Sequence, residues 1–243
     1  IARNRHASVF LDLGRAVDAL NESQAALSSA ERLLQLAPDV PDYLHDRMIT
    51  LNRIGDAQAA LNDSAAAVVT FRAMAADGSS LLDIDAYNTD WAYELGIALE
   101  RLGDAQAQSG DVAGALKSQR DALALREWLV GQDQANPDWY RSLAISYQRV
   151  GSMLAEMGEM DLALEQQDQS LAIMRELSAT YPDDPWYKLD VVQALDLQAV
   201  LLADPTASNQ EALSILESMQ ADGSLPSGYE DWIPAFRRVL GLP

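Results

Sequence analysis

The sequence predicts an all-α protein, a right-handed α-solenoid of antiparallel helix–turn–helix repeats. Three observations predict it. Residue types recur at a fixed step of 48 positions. Helix-starting and helix-stopping residues keep the same step. The composition is rich in alanine and leucine, with 13 Gly, 9 Pro and 3 Phe in 243 residues, which suits helices rather than sheets.

The period is visible in six columns. Gly55, Gly103 and Gly151 are 48 apart, and so are Arg53, Arg101 and Arg149. An aromatic column runs Tyr43, Trp91, Trp139, Tyr187, and an isoleucine column runs Ile49, Ile97, Ile145. Gly14, Asn62, Gly110 and Gly158 form a fifth column; Ala19, Ala67, Ala115 and Ala163 form a sixth. A period of this size marks a repeat array whose units bury their apolar faces on one another.

Each unit reads as two helices. Asn136-Pro137 and Asp184-Pro185 set a side-chain acceptor at the cap and proline at the first helical position. Asn88-Thr89 and Val40-Pro41 are weaker versions of that start. Apolar residues then follow helical spacing, as in Trp139, Leu143, Tyr147, Val150, Leu154. The first helix stops at Asn62, Gly110 or Gly158, residues that tolerate a left-handed backbone. An acid follows at once (Asp63, Asp111, Glu159), where the dipole of the second helix favours it. The signals predict helices over 15–36, 41–61, 63–83, 88–108, 111–132, 137–157, 159–180 and 185–203, then shorter ones over 208–220 and 229–240. The aromatic column is expected in the core, with Trp139 buried between repeats.

Residues 1–205 are thus expected to form the array, with a partial first repeat over 1–38. Full repeats are expected near 39–86, 87–134 and 135–182, with a last pair from 183. Residues 206–243 supply capping helices. Residues 1–13 match only the latter half of a first helix. The chain is therefore expected to be a fragment or processed form that starts inside a repeat, while Leu225 to Pro243 reads as the natural end of the array.

These columns resemble the tetratricopeptide repeat. In one unit Leu99, Leu102-Gly103 and Gln106 precede Gly110, and Ala115 and Ala122 follow it. The next unit holds Tyr147, Val150-Gly151, Leu154, Gly158, Ala163 and Ser170 in the same slots; the earlier one holds Leu51, Ile54-Gly55, Gln58, Asn62, Ala67 and Met74. The resemblance covers residues 1–205. The departure is length: the family unit has about 34 residues, so each unit here carries roughly four extra helical turns. Long repeats of this kind are similar to those in bacterial multidomain proteins, beside nucleotidase, protease, kinase or Toll-receptor-like domains.

The resemblance implies that the first helices line a concave, ligand-binding face. By position that face carries Asn52, Asp56, Glu100, Asp104, Gln148, Ser152 and Asp196. The family's readers of acidic tails use Lys and Asn in such slots, and the lysines are missing here. Arg53, Arg101 and Arg149 each precede an acid or hydroxyl three residues on. They read as a structural ladder of ion pairs between first helices, or alternatively as a ligand-facing stripe.

Composition limits the partners. Net charge is −20 and the isoelectric point about 4.2, which opposes binding to nucleic acid or to anionic membranes, since both need a basic face. Basic or polar protein segments are what such a field attracts. There are no cysteines and only two histidines, His6 and His45, in different repeats, so no thiolate or Cys-zinc chemistry is available. No strained nucleophile turn or phosphate loop is present. Asp183-Asp184 reads as a helix cap rather than a metal site. No signal peptide or membrane-length apolar run is visible, which fits the cytoplasm. The expectation is therefore a non-enzymatic scaffold that binds a protein or peptide in an acidic groove, without cofactor or metal. The alternative is an autoregulatory or oligomerising arm of a larger bacterial effector or signalling enzyme, with its partner in a preceding domain of the same chain. The groove could also hold the chain's own segment from Tyr229 to Leu240, which carries Arg237 and Arg238.

Overall fold

The computed structural model describes residues 2–242. Expectations placed on Ile1 and Pro243 concern residues outside that range. Among the described residues there are eleven α-helices and no strands. The chain divides into two compact units, 1–132 and 133–243.

The first unit holds α1 (Ala2–Asp12), α2 (Ala16–Leu36), α3 (Pro41–Ala60), α4 (Ser64–Ile84), α5 (Thr89–Gln108) and α6 (Val112–Gln132). The second holds α7 (Pro137–Glu156), α8 (Met160–Thr180), α9 (Pro185–Ala199), α10 (Thr206–Asp222) and α11 (Trp232–Val239). Within each unit every helix packs on the next. Two expected ends move. The helix from 185 stops at Ala199 rather than 203, giving way to a turn at Val200 and Leu201. The last helix begins at Trp232, because residues 226–231 form turns.

The turn inside each helix pair is made the same way four times. Gly14, Asn62, Gly110 and Gly158 have φ of 69°, 59°, 86° and 83°. The amide after each reaches back five residues to a carbonyl: Arg15 to Phe10, Asp63 to Gln58, Asp111 to Gln106, Glu159 to Leu154. The left-handed residue's own amide bonds three residues back, as Asn62 does to Ala59. These two bonds are the Schellman ending of a helix, and they satisfy carbonyls that the helix leaves open. Three first-helix starts are side-chain capped, whereas Val40 and Glu159 make no such bond. Asn88 accepts from the Trp91 amide, Asn136 from Asp138 and Trp139, and Asp184 from Trp186, at 2.9–3.2 Å. Asp63 and Asp111 cap the second helices in the same manner.

Two pairs of columns set how closely the helices of a pair approach. The glycine column 55, 103, 151 faces residues 71, 119 and 167. A Cβ on Gly55 would overlap the Phe71 ring; on Gly103 or Gly151 it would meet the Nε2 of Gln119 or Gln167 at 2.7 or 2.8 Å. The column 48, 96, 144 faces 78, 126, 174 with sizes exchanged. Met48 lies against Gly78, Gly96 against Arg126, and Ala144 shares a core cluster with Met174. A large residue on one helix is matched by a small one on its neighbour, which keeps the interior filled.

The core of the first unit gathers Met48, Leu51, Phe71, Met74, Leu81, Leu95 and Leu102. That of the second gathers Leu171, Met174, Leu189, Val192, Leu195, Leu216, Ile233 and Phe236. The aromatic column is shallower than its pattern suggests. Trp91 and Tyr187 are partly buried against these cores. Trp139 is only half-buried, because it sits in the first turn of α7, and full burial on that helix begins with Leu143 and Ala144. No helix among the described residues is long and apolar enough to cross a membrane.

Candidate functional site

Asn52 and Asp56 are one turn apart on α3, and Glu100 and Asp104 are one turn apart on α5, so each pair shares a helix face. The structure brings the two helices together through arginine. Arg101 Nε on α5 lies 3.6 Å from Asp56 Oδ1 on α3, and Arg53 Nη1 lies 4.0 Å from Asp56 Oδ2. Burial pushes the Asp56 carboxyl above its ordinary value, and Arg101 and Arg53 pull it back.

Glu100 and Asp104 are not free, solvated acids. Glu100 Oε1 accepts from Nε and Nη2 of Arg126 at 3.0 and 2.9 Å. Arg126 is 2% exposed and is the largest fully buried side chain among the described residues. It also donates Nη1 to the Tyr93 carbonyl at 3.1 Å, and its guanidinium stacks 4.3 Å from the Tyr93 ring centre. Asp104 Oδ1 accepts from Gln119 Nε2 at 3.0 Å, and the same amide donates to the Glu100 carbonyl at 3.1 Å. The charges of Asp56 and Glu100 are therefore compensated from within: a buried arginine is stable only beside a partner that replaces its lost water.

Asn52 is different. It is half-buried, and its Oδ1 is shielded from solvent with no hydrogen-bond partner among the described residues. The remaining positions lie in the second unit. The Gln148 carbonyl accepts from Gln167 Nε2 at 3.3 Å, and Ser152 and Arg149 are half-buried on α7. Asp196 is an exposed residue of α9, yet partial burial of its carboxyl still raises it above the ordinary value.

Several polar residues that organise these faces escape a reading of the repeat columns. Arg47 makes two hydrogen bonds to the buried Asp77, one of 2.8 Å. Arg141 pairs with Asp190 at 2.6 and 2.9 Å, tying α7 to α9. Thr70 donates to Gln58 and Ser118 donates to Gln106, both at 2.7 Å, so one hydroxyl-to-amide bond repeats across the helix pair. The C-terminal segment is engaged within its own unit. Ile233 and Phe236 belong to the core of the second unit, and Arg237 is held by Glu217 of α10 at 2.6 Å.

Stacked helix pairs closed by Schellman turns define a helical-hairpin repeat protein. No protein-family model and no curated protein matches the chain, but solved structures do. BtubC (BKLC) from P. vanneervenii aligns with a TM-score of 0.65 at 14% identity, over 91% of this chain and 80% of that one. A putative kinesin light chain of Podosopora anserina, with nearly identical TPR-like repeats, aligns at 0.62 and 14% identity, over 92% and 94%. The apo form of RapI aligns at 0.58 and 12% identity, over 98% and 76%. The fold is the TPR-like α-solenoid.

Proposed function

We propose that the chain is a protein- or peptide-binding module, without catalytic activity, that reads an extended segment on the α3–α5 face. The observation that carries this is Asn52. A side-chain amide oxygen, shielded from water and lacking an internal partner, costs free energy until a ligand N–H reaches it. An amide both accepts and donates, which suits a polypeptide backbone.

The acids beside it act less directly than their number suggests. Asp56 and Glu100 are paired with arginine, so local recognition rests on hydrogen bonding. The chain's charge of −20 acts at longer range: it raises the encounter rate with basic or polar segments and is screened by salt. Reversal of Glu100 to Lys is a poor probe of this field, since it would strand Arg126 in the interior.

Peptide-array binding followed by titration in solution tests the reading. Asn52→Ala should weaken retained peptides by about tenfold, the equivalent of one buried hydrogen bond, without lowering the melting temperature. Association should slow as salt rises from about 0.01 to 0.5 M. Retained peptides indifferent to Asn52→Ala would remove this face from the function.

A further inference from the structure

The second unit carries a cavity that the first-helix face does not include. It has a volume of about 260 Å³ and opens between the start of α7 and the end of α8. Its walls are Pro137, Tyr140, Ile173, Leu177 and Tyr181, with Glu176 at the rim. A shallower hollow of about 610 Å³ adjoins it, shares Thr180 and Tyr181, and continues over Pro182, Pro185 and Trp186. Tyr181 is 39% exposed and Trp186 50% exposed. Both rings are held in place: Tyr181 packs against Tyr187, tilted by 34° with ring centres 5.5 Å apart, and Trp186 meets the edge of Tyr229 at 6.1 Å.

The charge of this cavity is uncompensated, unlike that of the α3–α5 face. Glu176 has no ion-pair partner among the described residues. The adjacent Arg175 points to Glu211 of α10 instead, at 2.6 Å, and Arg141 is committed to Asp190. Asp183, on the neighbouring turn, is exposed. Burial, together with the carboxylates of Asp138 and Asp184, raises the Tyr187 phenol, a sign of the negative field at this corner. The feature is also private to this repeat. One step earlier, Trp128 occupies the position of Glu176, Asp133 that of Tyr181 and Ala92 that of Tyr140. The repeat as such does not require a carboxylate or tyrosines there.

We propose that the α7–α8 cavity is a docking site for an arginine side chain carried on an extended segment of a partner protein. The apolar walls accept the aliphatic stem. The flat guanidinium stacks on tyrosine and forks onto the Glu176 carboxylate, for which arginine is better shaped than lysine. The volume lies just under the range typical of small-molecule pockets and suits one side chain. The adjoining hollow, lined by two prolines and a tryptophan, takes the residues that flank the arginine. The site is independent of the α3–α5 face, so either can fail without the other.

The test uses the whole chain with isotope-labelled Ile and Leu methyls. The probe is the peptide Gly-Ser-Pro-Arg-Pro-Ser-Gly, alongside a version with Gln at the centre and N-acetylarginine amide alone. The arginine peptide should shift the methyls of Ile173 and Leu177. The glutamine peptide should bind at least about tenfold more weakly, as expected on losing a charge-assisted pair. Glu176→Gln, an exposed and therefore structurally mild change, should weaken the arginine peptide by a similar factor, while Asn52→Ala should leave it unchanged. The proposal is overturned if the two peptides bind equally, if Glu176→Gln has no effect, or if the shifts fall on Ile54 and Ile97 instead. Binding of N-acetylarginine amide as tight as that of the peptide would also overturn it, since the site would then read a small cation rather than a segment.

Discussion

The two units solve the same packing problem with different chemistry. At one helix–helix contact of the first unit, Gly96 makes room for Arg126, a buried cation held by Glu100 and by the face and carbonyl of Tyr93. At the corresponding contact of the second unit, Ala144 and Met174 meet in an apolar cluster. The apolar version gains from burial alone. The charged version gains only while every partner is present, because the desolvation of two ions must be offset. Equivalent positions in a repeat therefore tolerate opposite chemistries, provided the summed volume is kept.

The sharpest way to break this comparison is Arg126→Ala. It leaves Glu100 facing a void and should cost about 3–5 kcal/mol in denaturant unfolding. The triple change Gly96→Ala, Glu100→Gln, Arg126→Met copies the contact of the second unit and should recover most of that loss. A loss below about 1 kcal/mol for Arg126→Ala would mean the ion pair is solvated and the contrast mistaken.

Glycine substitutions come next. A Cβ on Gly55 meets the Phe71 ring, which cannot retreat, whereas on Gly103 it meets the flexible end of Gln119. Gly55→Ala should therefore cost about 1–3 kcal/mol through overpacking, and Gly103→Ala less. Equal shifts in melting temperature would refute the distinction.

The smallest effect concerns pH. Because burial raises the Asp56 carboxyl above 3.8, the folded chain holds that proton more tightly than the unfolded chain does. The resulting stabilisation is complete below the unfolded value and disappears as pH rises through the raised one. Asp56→Asn should thus gain on the wild type as pH rises from the ordinary carboxylate value through the raised one, by less than about 1 kcal/mol. Unfolding measured across that range checks it, and a gap moving the other way would show that Arg53 and Arg101 dominate instead.

Helix boundaries were legible in the sequence because their causes are local. A left-handed Asn62 or Gly110 and a capping Asn136 or Asp184 act on their own turn and need no distant partner. The candidate face was legible only in position. Asp56 and Glu100 are spaced as ligand-facing acids should be, but their true state depends on Arg101 and Arg126, which arrive from other helices. Arg126 hides from a search for repeats, since its column reads Gly78, Arg126, Met174. The available signal was indirect: a glycine at 96, in a column that otherwise holds Met48 and Ala144. Trp139 misled for the opposite reason. Its column is regular, yet regularity fixes a helix face and not the depth of the first turn. The α7–α8 cavity was legible only as a departure, in the replacement of Trp128 by Glu176 one step along.

The contact between Gly103 and Gln119 joins two residues of the same 48-residue repeat, as do those of Gly55 with Phe71 and Gly151 with Gln167. A duplication of one repeat in the gene would carry both members of the contact together. The copied hairpin would arrive with this internal fit already matched, and its outward faces would remain to be adapted to new neighbours. An array built in this way can lengthen in whole units, and its members can then diverge as far as a phenylalanine and a glutamine at one position.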